Sequence, residues 1–532
     1  MVRWYSAIAA KSRSWVETRP HSDRKRLSNA RRRPRSDTTI QTTSRATIPG
    51  ARRGVICELD TTRAARDRLS GPVTDLSPTE GTGPGLRPAT PRIIAIVSTP
   101  APPQDGLFPL PREAVLDNGL QVRVVEMHTA PLVSVWCWYR VGSKDEGPGL
   151  TGVSHWVEHM NFKGTTGIPP DDFKQFIDRF GGFWNGYTWV DQTTYMATAT
   201  KDALDEMLFM EAERMDRCLY DTAATESERS VIVSELQGGE NDPDHLLDIE
   251  VTATAFKAHP YRHPTIGWVG DLHAMSRDDL HGHYRRYYTP GNATLVIVGD
   301  VEADDALRQV ERRFGGISAG PEPSRVRTTE PDQTGERRLE IVREGATGYV
   351  KVAYHSPAAT DPDFAPMLVL DAALTGAKGL NLWSSFSGPT PQRRARLYRA
   401  LVDSGRAAAV SGLFVATADP SLFMVSATAG EGVPLDELRD SALAALDSAR
   451  DDGVSELEVE RAKRQLRARI VLENDSITNI GHQIGFFETV AGARLLAQLP
   501  GRIAEVSSDD VARVAARYLA TSNRTVGWFR PA

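Results

Sequence analysis

A pattern near residue 290 returns at the end of the chain, and this repeat limits the folds open to the sequence more than any other feature. Both copies read as a helix, a turn and a strand, and four residues match at one offset of 231. The matching pairs are Asp279 and Asp510, Tyr287 and Tyr518, Asn292 and Asn523, and Thr294 and Thr525. Matches in register with the same order of elements indicate a duplicated α+β unit. The two copies would span about residues 113–316 and 337–532.

Charge is distributed unevenly along the chain. The first 70 residues contain 17 Lys and Arg against 6 Asp and Glu, while all 532 residues carry a net charge of −6, which leaves about −17 on the remainder. The basic head has little apolar periodicity and continues into the Pro/Gly-rich stretch LSPTEGTGPGLRPATPR. Residues 1–108 are therefore predicted to be a disordered extension. A basic interaction tail, translated sequence upstream of the true start and an organellar transit peptide are the interpretations open.

Composition excludes several classes of protein. The basic head lacks interleaved aromatic residues, so no nucleic-acid partner is expected. The apolar run RIIAIVSTPAPP is too short to span a bilayer, and no membrane span is predicted. Cys57, Cys137 and Cys218 are far apart and form neither a zinc-ribbon spacing nor a disulfide framework. We expect a cytoplasmic protein, or one of the mitochondrial matrix if the basic head is a transit peptide.

Two histidines and a glutamate lie within five positions of the stretch TGVSHWVEHMNFKGT. Its apolar residues have helical spacing, and residues four apart on a helix share a face, so His155 and His159 can point at one ion. A catalytic zinc has three protein ligands and one open position. Glu158 would stand beside the metal, where a general base for water is needed. The order His-x-x-Glu-His is that of the inverzincins; polar residues on an ordinary solvated helix are the alternative.

Further segments match a known family in order and spacing. They are GLTGVSHWVEHMNFKGT, FGGFWNGYTWVDQTTYMATA, ESERSVIVSELQGGENDP, AFKAHPYRHPTIG and YYTPGNATLVIVGDV. On these segments the chain resembles the pitrilysin/insulinase family of zinc peptidases, closest to its mitochondrial-processing-peptidase-like branch. The resemblance covers essentially all of residues 113–532.

The resemblance implies one Zn²⁺ per chain, bound by both motif histidines and by a glutamate on a later helix. That glutamate is Glu235, 76 residues after His159. Glu228, seven residues earlier and on the same helical face, would orient a histidine ligand or the water. Asn185 would hydrogen-bond the substrate from an edge strand that pairs with extended peptides. The alternatives are a solvated helix residue for Glu235, an acidic residue near a helix N-terminus for Glu228, and a turn residue for Asn185.

The fold implied is α+β. It has two homologous α/β-sandwich domains of the processing-peptidase (LuxS-like metalloprotease) type, each an antiparallel-rich sheet flanked by helices. We place an N-terminal zinc-binding peptidase domain at 109–318, a linker at 319–338, and at 339–532 a C-terminal domain that lacks the zinc motif.

Single-chain members of the family have four such domains, whereas this chain has the length for two. The resemblance therefore implies a homodimer, or a heterodimer with an inactive homologue, that closes around a peptide. In many active members an Arg and a Tyr of the second half hold the substrate carbonyl. The stretch DPSLFMVSATA, where a strand Arg would be expected, has none, and GLNLWSSFSGPTPQRRARLYRAL is longer and less Gly-rich than the usual family loop, which leaves room for these residues to come from another subunit. The acidic body favours basic peptides by long-range attraction, or it is an ordinary solvated surface.

The sequence thus predicts a zinc-dependent metalloendopeptidase that hydrolyses extended peptides or presequence-like segments inside a closed chamber. The alternative is a non-catalytic peptide-binding or scaffold subunit of a processing-peptidase-like complex. Members of that second kind usually have a broken zinc motif, and here the motif is intact.

Overall fold

The computed structural model describes the backbone of residues 93–97 and both backbone and side chains of residues 108–173, 175–380 and 392–532. Seven strands of these residues form the first sheet. The strands of the first sheet are β1 (Ile93–Val97), β2 (Arg112–Leu116), β3 (Gln121–Glu126), β4 (Leu132–Tyr139), β5 (Phe183–Thr188), β6 (Thr193–Thr200) and β7 (Ala293–Gly299). Their order is β1-β2-β3-β7-β4-β6-β5. Only β3 and β7 are parallel, and the other neighbours are antiparallel.

The second sheet repeats this arrangement. Its strands are β8 (Arg337–Arg343), β9 (Tyr349–Ser356), β10 (Ala407–Leu413), β11 (Ser421–Ala429) and β12 (Arg524–Pro531). They lie in the order β10-β11-β9-β12-β8, with β8 and β12 as the parallel pair. The run β5-β6-β4-β7-β3 of the first sheet has the same order and the same parallel pair. The shared topology confirms the predicted α+β class with two homologous α/β-sandwich domains.

Helices flank both sheets. The α-helices of the described residues are α1 (Val153–Met160), α2 (Pro170–Phe173), α3 (Gln175–Asp178), α4 (Leu204–Asp216), α5 (Thr222–Glu240), α6 (Pro243–Ala255), α7 (Val269–Ala274), α8 (Arg277–Tyr287), α9 (Ala303–Phe314), α10 (Phe364–Thr375), α11 (Leu435–Asp451), α12 (Glu456–Glu473), α13 (Ile477–Val490), α14 (Ala493–Glu505) and α15 (Ser508–Tyr518). Short 3₁₀ turns occur at Ser143–Asp145, Lys201–Ala203, Pro260–Arg262, Pro290–Asn292 and Thr521–Asn523, and a π turn at Tyr398–Val402. None of these helices is both long and apolar enough to cross a bilayer.

The sequence repeat corresponds to a repeated closing element. Helices α8 and α15 both begin with a serine–aspartate capping box, which satisfies the first free amide groups of each helix. After each helix an asparagine ties the turn back to the helix end. Asn292 Nδ2 donates to the Tyr287 carbonyl at 2.9 Å, and Asn523 Nδ2 donates to the Tyr518 carbonyl at 2.8 Å. These matching residues therefore do the same structural work in the two halves.

The two halves exchange helices. Helix α6 belongs to the first half but packs on β8, β9 and β12, and α13 of the second half packs on β4 and β7. Ion pairs fix each exchanged helix to its sheet. Lys351 Nζ of β9 lies 2.5 Å from Asp248 Oδ1 of α6, and Arg123 Nη2 of β3 lies 2.7 Å from Glu488 Oε1 of α13. Each sheet is therefore completed by a helix from the other half.

Strand β4 shows why its sequence is apolar on both faces. Val135 and Cys137 lie in the core of the first half, while Trp136 and Trp138 lie in the core shared with the second half. A strand covered on both sides has no polar face, which explains the continuous apolar run. Cys137 is a buried free thiol, as is Cys218; Cys57 lies outside the described residues.

The predicted extension and the structure differ at β1. This strand lies inside residues 1–108, which were predicted to be disordered, and it pairs antiparallel with β2. Its sequence IIAIV is apolar and rich in β-branched residues, and such a run pairs readily with an exposed sheet edge. The rest of the predicted extension, up to residue 107, lies outside the described residues. The other domain boundaries remain predictions.

Candidate metal centre

Helix α1 begins in a turn whose backbone is fixed by buried side chains. Gly152, just before the helix, has φ of 90°, and a Cβ at this position would overlap the carbonyl oxygen of Ile266. The Glu146 carboxylate accepts hydrogen bonds from the backbone N–H groups of Gly152 and Ser154, both at 2.8 Å. Glu146 also lies 3.0 Å from His263 Nε2. A buried carboxylate at a helix N-terminus satisfies free amide groups there, so these contacts fix the start of α1.

His155 and His159 lie one turn apart on α1 and turn their Nε2 atoms toward each other, 3.2 Å apart. His155 is buried. Burial, together with the adjacent His159, lowers the pKa of His155 well below its ordinary value. His155 is therefore neutral at pH 7, and a neutral imidazole has the lone pair that a metal ion requires.

Glu235 reaches the histidines from helix α5. Its Oε2 atom lies 3.8 Å from His159 Nε2 and 4.0 Å from His155 Nε2. The three ligand atoms lie within 4.8 Å of one another. The structure thus brings together the three residues predicted as zinc ligands. Within the described residues no other group of three His, Cys, Asp or Glu side chains has this arrangement.

The donor set fits Zn²⁺. Two ligands on a tetrahedral zinc, with bonds of about 2.0–2.2 Å, are roughly 3.3–3.5 Å apart. The nitrogen–nitrogen distance of 3.2 Å is close to this value. The two nitrogen–oxygen distances of 3.8 and 4.0 Å are longer, and a small movement of the Glu235 side chain would shorten them to it. Two histidines and one carboxylate also leave a fourth position open, as catalytic zinc sites require.

Glu228 fixes the orientation of His159. Its Oε1 atom lies 2.9 Å from His159 Nδ1, and its other carboxylate oxygen pairs with Lys163. Burial raises the pKa of Glu228, but the hydrogen bonds to His159 and Lys163 outweigh it, so that the pKa lies below its ordinary value. A charged Glu228 accepts a hydrogen bond from the Nδ1–H group of His159, which leaves the lone pair on Nε2, the nitrogen nearer Glu235. This geometry is the one expected of a residue that orients a metal ligand.

Glu158 is buried beside the ligand pair. Burial raises its pKa, and the nearby His159 opposes this change only in part. Its Oε2 atom accepts a hydrogen bond from Thr188 Oγ1 at 2.9 Å. A carboxylate whose pKa is raised is better able to take up a proton and return it near neutral pH.

Asn185 lies on β5, the edge strand of the first sheet beside α1. The strand pairs with β6 on one side, and Asn185 stands opposite Met196 in that pairing. The Asn185 Oδ1 atom accepts a hydrogen bond from the backbone N–H of Gly186 at 2.9 Å. No other strand of the described residues pairs with β5, so its outer edge has the geometry to accept an extended peptide. The role of Asn185 in substrate binding remains a prediction.

The second half carries no His-x-x-Glu-His sequence in residues 339–532. Part of the segment in which a substrate-holding Arg and Tyr were sought, residues 381–391, lies outside the described residues. The origin of the residues that hold the substrate carbonyl remains a prediction.

Sequence reasoning missed four residues that support the centre: Glu146, Lys163, Thr188 and His263. Lys163 and His263 lie in segments that match the family, but no local pattern assigned them a contact. Thr188 also lies in a matching segment, three positions after Asn185, and no local pattern assigned it a contact. Their contacts are all with residues distant in sequence or on another element, and only the tertiary structure shows them.

Two family descriptions match consecutive parts of the chain. The sequence model described as "Insulinase (Peptidase family M16)" matches residues 121–268, and the one described as "Peptidase M16 inactive domain" matches residues 274–466. All of the predicted site residues lie in the first of these ranges.

Individual relatives agree with this assignment. The chain is 27% identical over 414 residues to the probable mitochondrial-processing peptidase subunit beta of Arabidopsis thaliana, covering 77% of this chain and 76% of that protein. It is 25% identical over 433 residues to the zinc protease PqqE of Helicobacter pylori, covering 80% and 94%. The crystal structure of a protease from Helicobacter pylori has the same fold, with a TM-score of 0.74, 24% identity, and coverage of 80% of this chain and 100% of that one.

The order His-x-x-Glu-His is that of the inverzincins, and here it lies on a helix in the first of two sandwich halves of common topology. The chain belongs to the insulinase family of peptidases, M16, as the sequence resemblance indicated.

Proposed function

We propose that the protein is a zinc-dependent metalloendopeptidase that hydrolyses extended peptides or presequence-like segments. One observation carries this proposal. His155, His159 and Glu235 place their ligand atoms within 4.8 Å of one another, and the buried carboxylate of Glu158 lies next to them in the chain. The names of the relatives as zinc proteases and as processing-peptidase subunits support the same activity.

Zn²⁺ bound by His155, His159 and Glu235 would polarise the scissile carbonyl and make the attacking water more acidic. Glu158 takes a proton from that water and passes it to the leaving amine, for which its raised pKa suits it. Glu228 keeps the Nδ1 proton of His159 in place, so that Nε2 remains a ligand.

The edge of β5 is the proposed binding site for the substrate backbone. An extended peptide added to this edge would gain main-chain hydrogen bonds that do not depend on its sequence, and Asn185 would add a side-chain contact. The acidic charge of the chain outside its first 70 residues favours basic peptides. The cleavage rates of matched basic and acidic peptides, measured at low and high salt, test this preference.

The family resemblance implies that two subunits, each with two sandwich halves, close the proposed chamber. We propose a homodimer or a heterodimer with an inactive homologue. Several relatives are named as subunits of a processing peptidase, which supports this view. Light scattering and native mass spectrometry of the purified protein, alone and with its co-purifying proteins, will identify the assembly.

We propose the cytoplasm as the compartment, and the mitochondrial matrix if the basic head acts as a transit peptide. The relatives include both a bacterial protease and mitochondrial proteins. The intact mass of the native protein will show whether residues 1–108 are retained.

The substitution Glu158→Gln tests the mechanism. It keeps the shape of the side chain but removes the proton acceptor, so we expect hydrolysis of a fluorogenic peptide to fall by about 10²–10⁴-fold while one zinc per chain remains bound. Glu226→Gln, an exposed substitution on α5, is the matched control. Equal hydrolysis by the zinc-loaded wild type and Glu158→Gln would exclude this role of Glu158. A wild type that binds peptide but cuts none, alone or with its partner, would instead support the scaffold alternative.

A further inference from the structure

A threonine on β5 donates a hydrogen bond to one oxygen of the Glu158 carboxylate. Thr188, the last residue of β5, donates from Oγ1 to Glu158 Oε2 at 2.9 Å, and both side chains are buried. Thr188 is fully inaccessible, with 0% of its surface exposed. The contact joins two elements that are 30 residues apart in sequence.

The hydroxyl of Thr188 is held in a fixed position. Thr188 stands opposite Thr193 in the pairing of β5 with β6, and their Oγ1 atoms are 3.3 Å apart. Thr193 Oγ1 donates to the Val141 carbonyl at 2.9 Å, so its single proton is used there. A β-branched side chain on a strand also has few rotamers. The Thr188 proton is therefore directed at Glu158.

This contact links the proposed general base to the strand that is the proposed binding site for the peptide. Thr188 and Asn185 lie on the same strand, whose outer edge is the proposed binding site for the peptide backbone. A glutamate side chain rotates about three bonds, and an anchor on one oxygen leaves the other in a defined direction. A shift of β5 would therefore move peptide and carboxylate together.

We propose that Thr188 is a positioning residue for the general base: it holds Glu158 Oε2 so that the other carboxylate oxygen faces the water beside His155, His159 and Glu235. The proposal rests on the proposed peptidase function. In this role Thr188 acts through its hydrogen bond to Glu158. Its loss lowers the rate of the chemical step and leaves peptide binding at the β5 backbone unchanged.

Three variants test this role. Thr188→Val removes the hydroxyl at nearly constant volume, Thr188→Ser restores it, and Thr194→Val makes the same change at a neighbouring buried threonine whose Oγ1 donates to the Cys137 carbonyl at 3.0 Å. We expect Thr188→Val to lower kcat by about 10-fold or more with KM and zinc content unchanged, because a misplaced reacting group is costly. Thr188→Ser and Thr194→Val should stay close to the wild type. An unchanged kcat in Thr188→Val, a loss confined to KM or zinc, or no rescue by Thr188→Ser would overturn the proposal.

Crystal structures of the wild type and Thr188→Val give a readout that does not depend on activity. We expect a single Glu158 conformer in the wild type and a displaced or divided one in Thr188→Val. An identical, singly ordered Glu158 in both would overturn the proposal even if both proteins were inactive. A wild type that is loaded with zinc yet inactive, together with a disordered Glu158 in Thr188→Val, would contradict the peptidase function and leave the positioning role supported.

Discussion

His159 depends for its orientation on two side chains that are not themselves proposed ligands. Glu228 Oε1 accepts a hydrogen bond from His159 Nδ1, and Lys163 pairs with the other carboxylate oxygen of Glu228 and balances its charge. Without the lysine, a buried carboxylate would be protonated more readily, since burial alone raises its pKa. Lys163, Glu228 and His159 form a short chain of contacts that ends at His159 Nε2, the proposed metal-binding nitrogen. At the scale of single residues, the candidate centre therefore includes more residues than its three proposed ligands.

Replacing Glu228 tests this chain. We expect Glu228→Gln to weaken zinc binding by about 10-fold, at the lower end of the range for residues that orient ligands, because the amide oxygen can still accept the His159 proton. Competition with a zinc-sensitive dye measures the affinity. Glu226→Gln on the same helix is exposed and should bind zinc as the wild type does. Equal zinc affinity for all three proteins would show that Glu228 does not support the ligand.

At the scale of elements, the exchanged helix α13 lies close against β4 of the first sheet at two glycines. A Cβ at Gly481 would come within 2.7 Å of the Trp136 indole, and a Cβ at Gly485 would overlap the indole of Trp138. The two glycines are four residues apart, so they lie on the same face and form a groove for the two rings. The fit between helix and sheet therefore depends on the absence of two side chains.

The substitution Gly485→Ala measures this fit. Alanine is the better helix former by about 1 kcal/mol, but the added methyl group overpacks the core at a cost of about 1–3 kcal/mol, so we expect a net loss of up to about 2 kcal/mol in the free energy of unfolding. The control is Gly282→Ala on α8, where nothing lies within 4 Å of the new Cβ; it should gain roughly 0.5–1 kcal/mol. Urea unfolding measures both. A Gly485→Ala protein as stable as Gly282→Ala would refute the close packing.

At the scale of the whole molecule, a polar network joins the two halves at the 3₁₀ turn Ser143–Asp145 of the first half. Lys144 Nζ lies 2.7 Å from Asp191 Oδ1 and 3.1 Å from Asp419 Oδ2, which belongs to the loop between β10 and β11. Tyr261 donates to Asp191 at 2.7 Å. His259 and Lys144 outweigh the effect of burial and hold the pKa of Asp419 at about 2, below its ordinary 3.8. The charged form of Asp419 is thus favoured by folding.

The network predicts a pH dependence of stability. A carboxyl whose pKa is depressed on folding stabilises the protein above its unfolded value, here 3.8, and the benefit is lost as pH falls toward about 2. We expect Asp419→Asn to be less stable than the wild type at pH 6 by roughly 0.5–1 kcal/mol, a small effect because the pair is partly exposed. The difference should disappear between pH 4 and about 2. Thermal unfolding over this range, with Asp440→Asn as an exposed control, measures it. A constant difference at all pH values would contradict the assignment.

The sequence by itself determined the duplicated α+β architecture, because four residues repeated at one offset and strands and helices followed in the same order. It also placed the histidine pair on one face of a helix, since residues four apart on a helix must share a face. Glu235 could be named only through the family resemblance, because nothing in its local sequence shows that its carboxylate lies near histidines 76 and 80 positions earlier.

Only the tertiary structure decided the exchange of α6 and α13 between the halves, and the contacts of Glu146 and Thr188 with α1. Each of these depends on which surfaces meet after the chain has folded, and a periodic pattern shows that a face is apolar without showing what covers it. A hydroxyl or carboxylate that holds another side chain has no spacing rule along the chain. The motif therefore indicates the type of chemistry proposed for the centre, whereas the orientation of its side chains depends on distant residues that folding brings next to them.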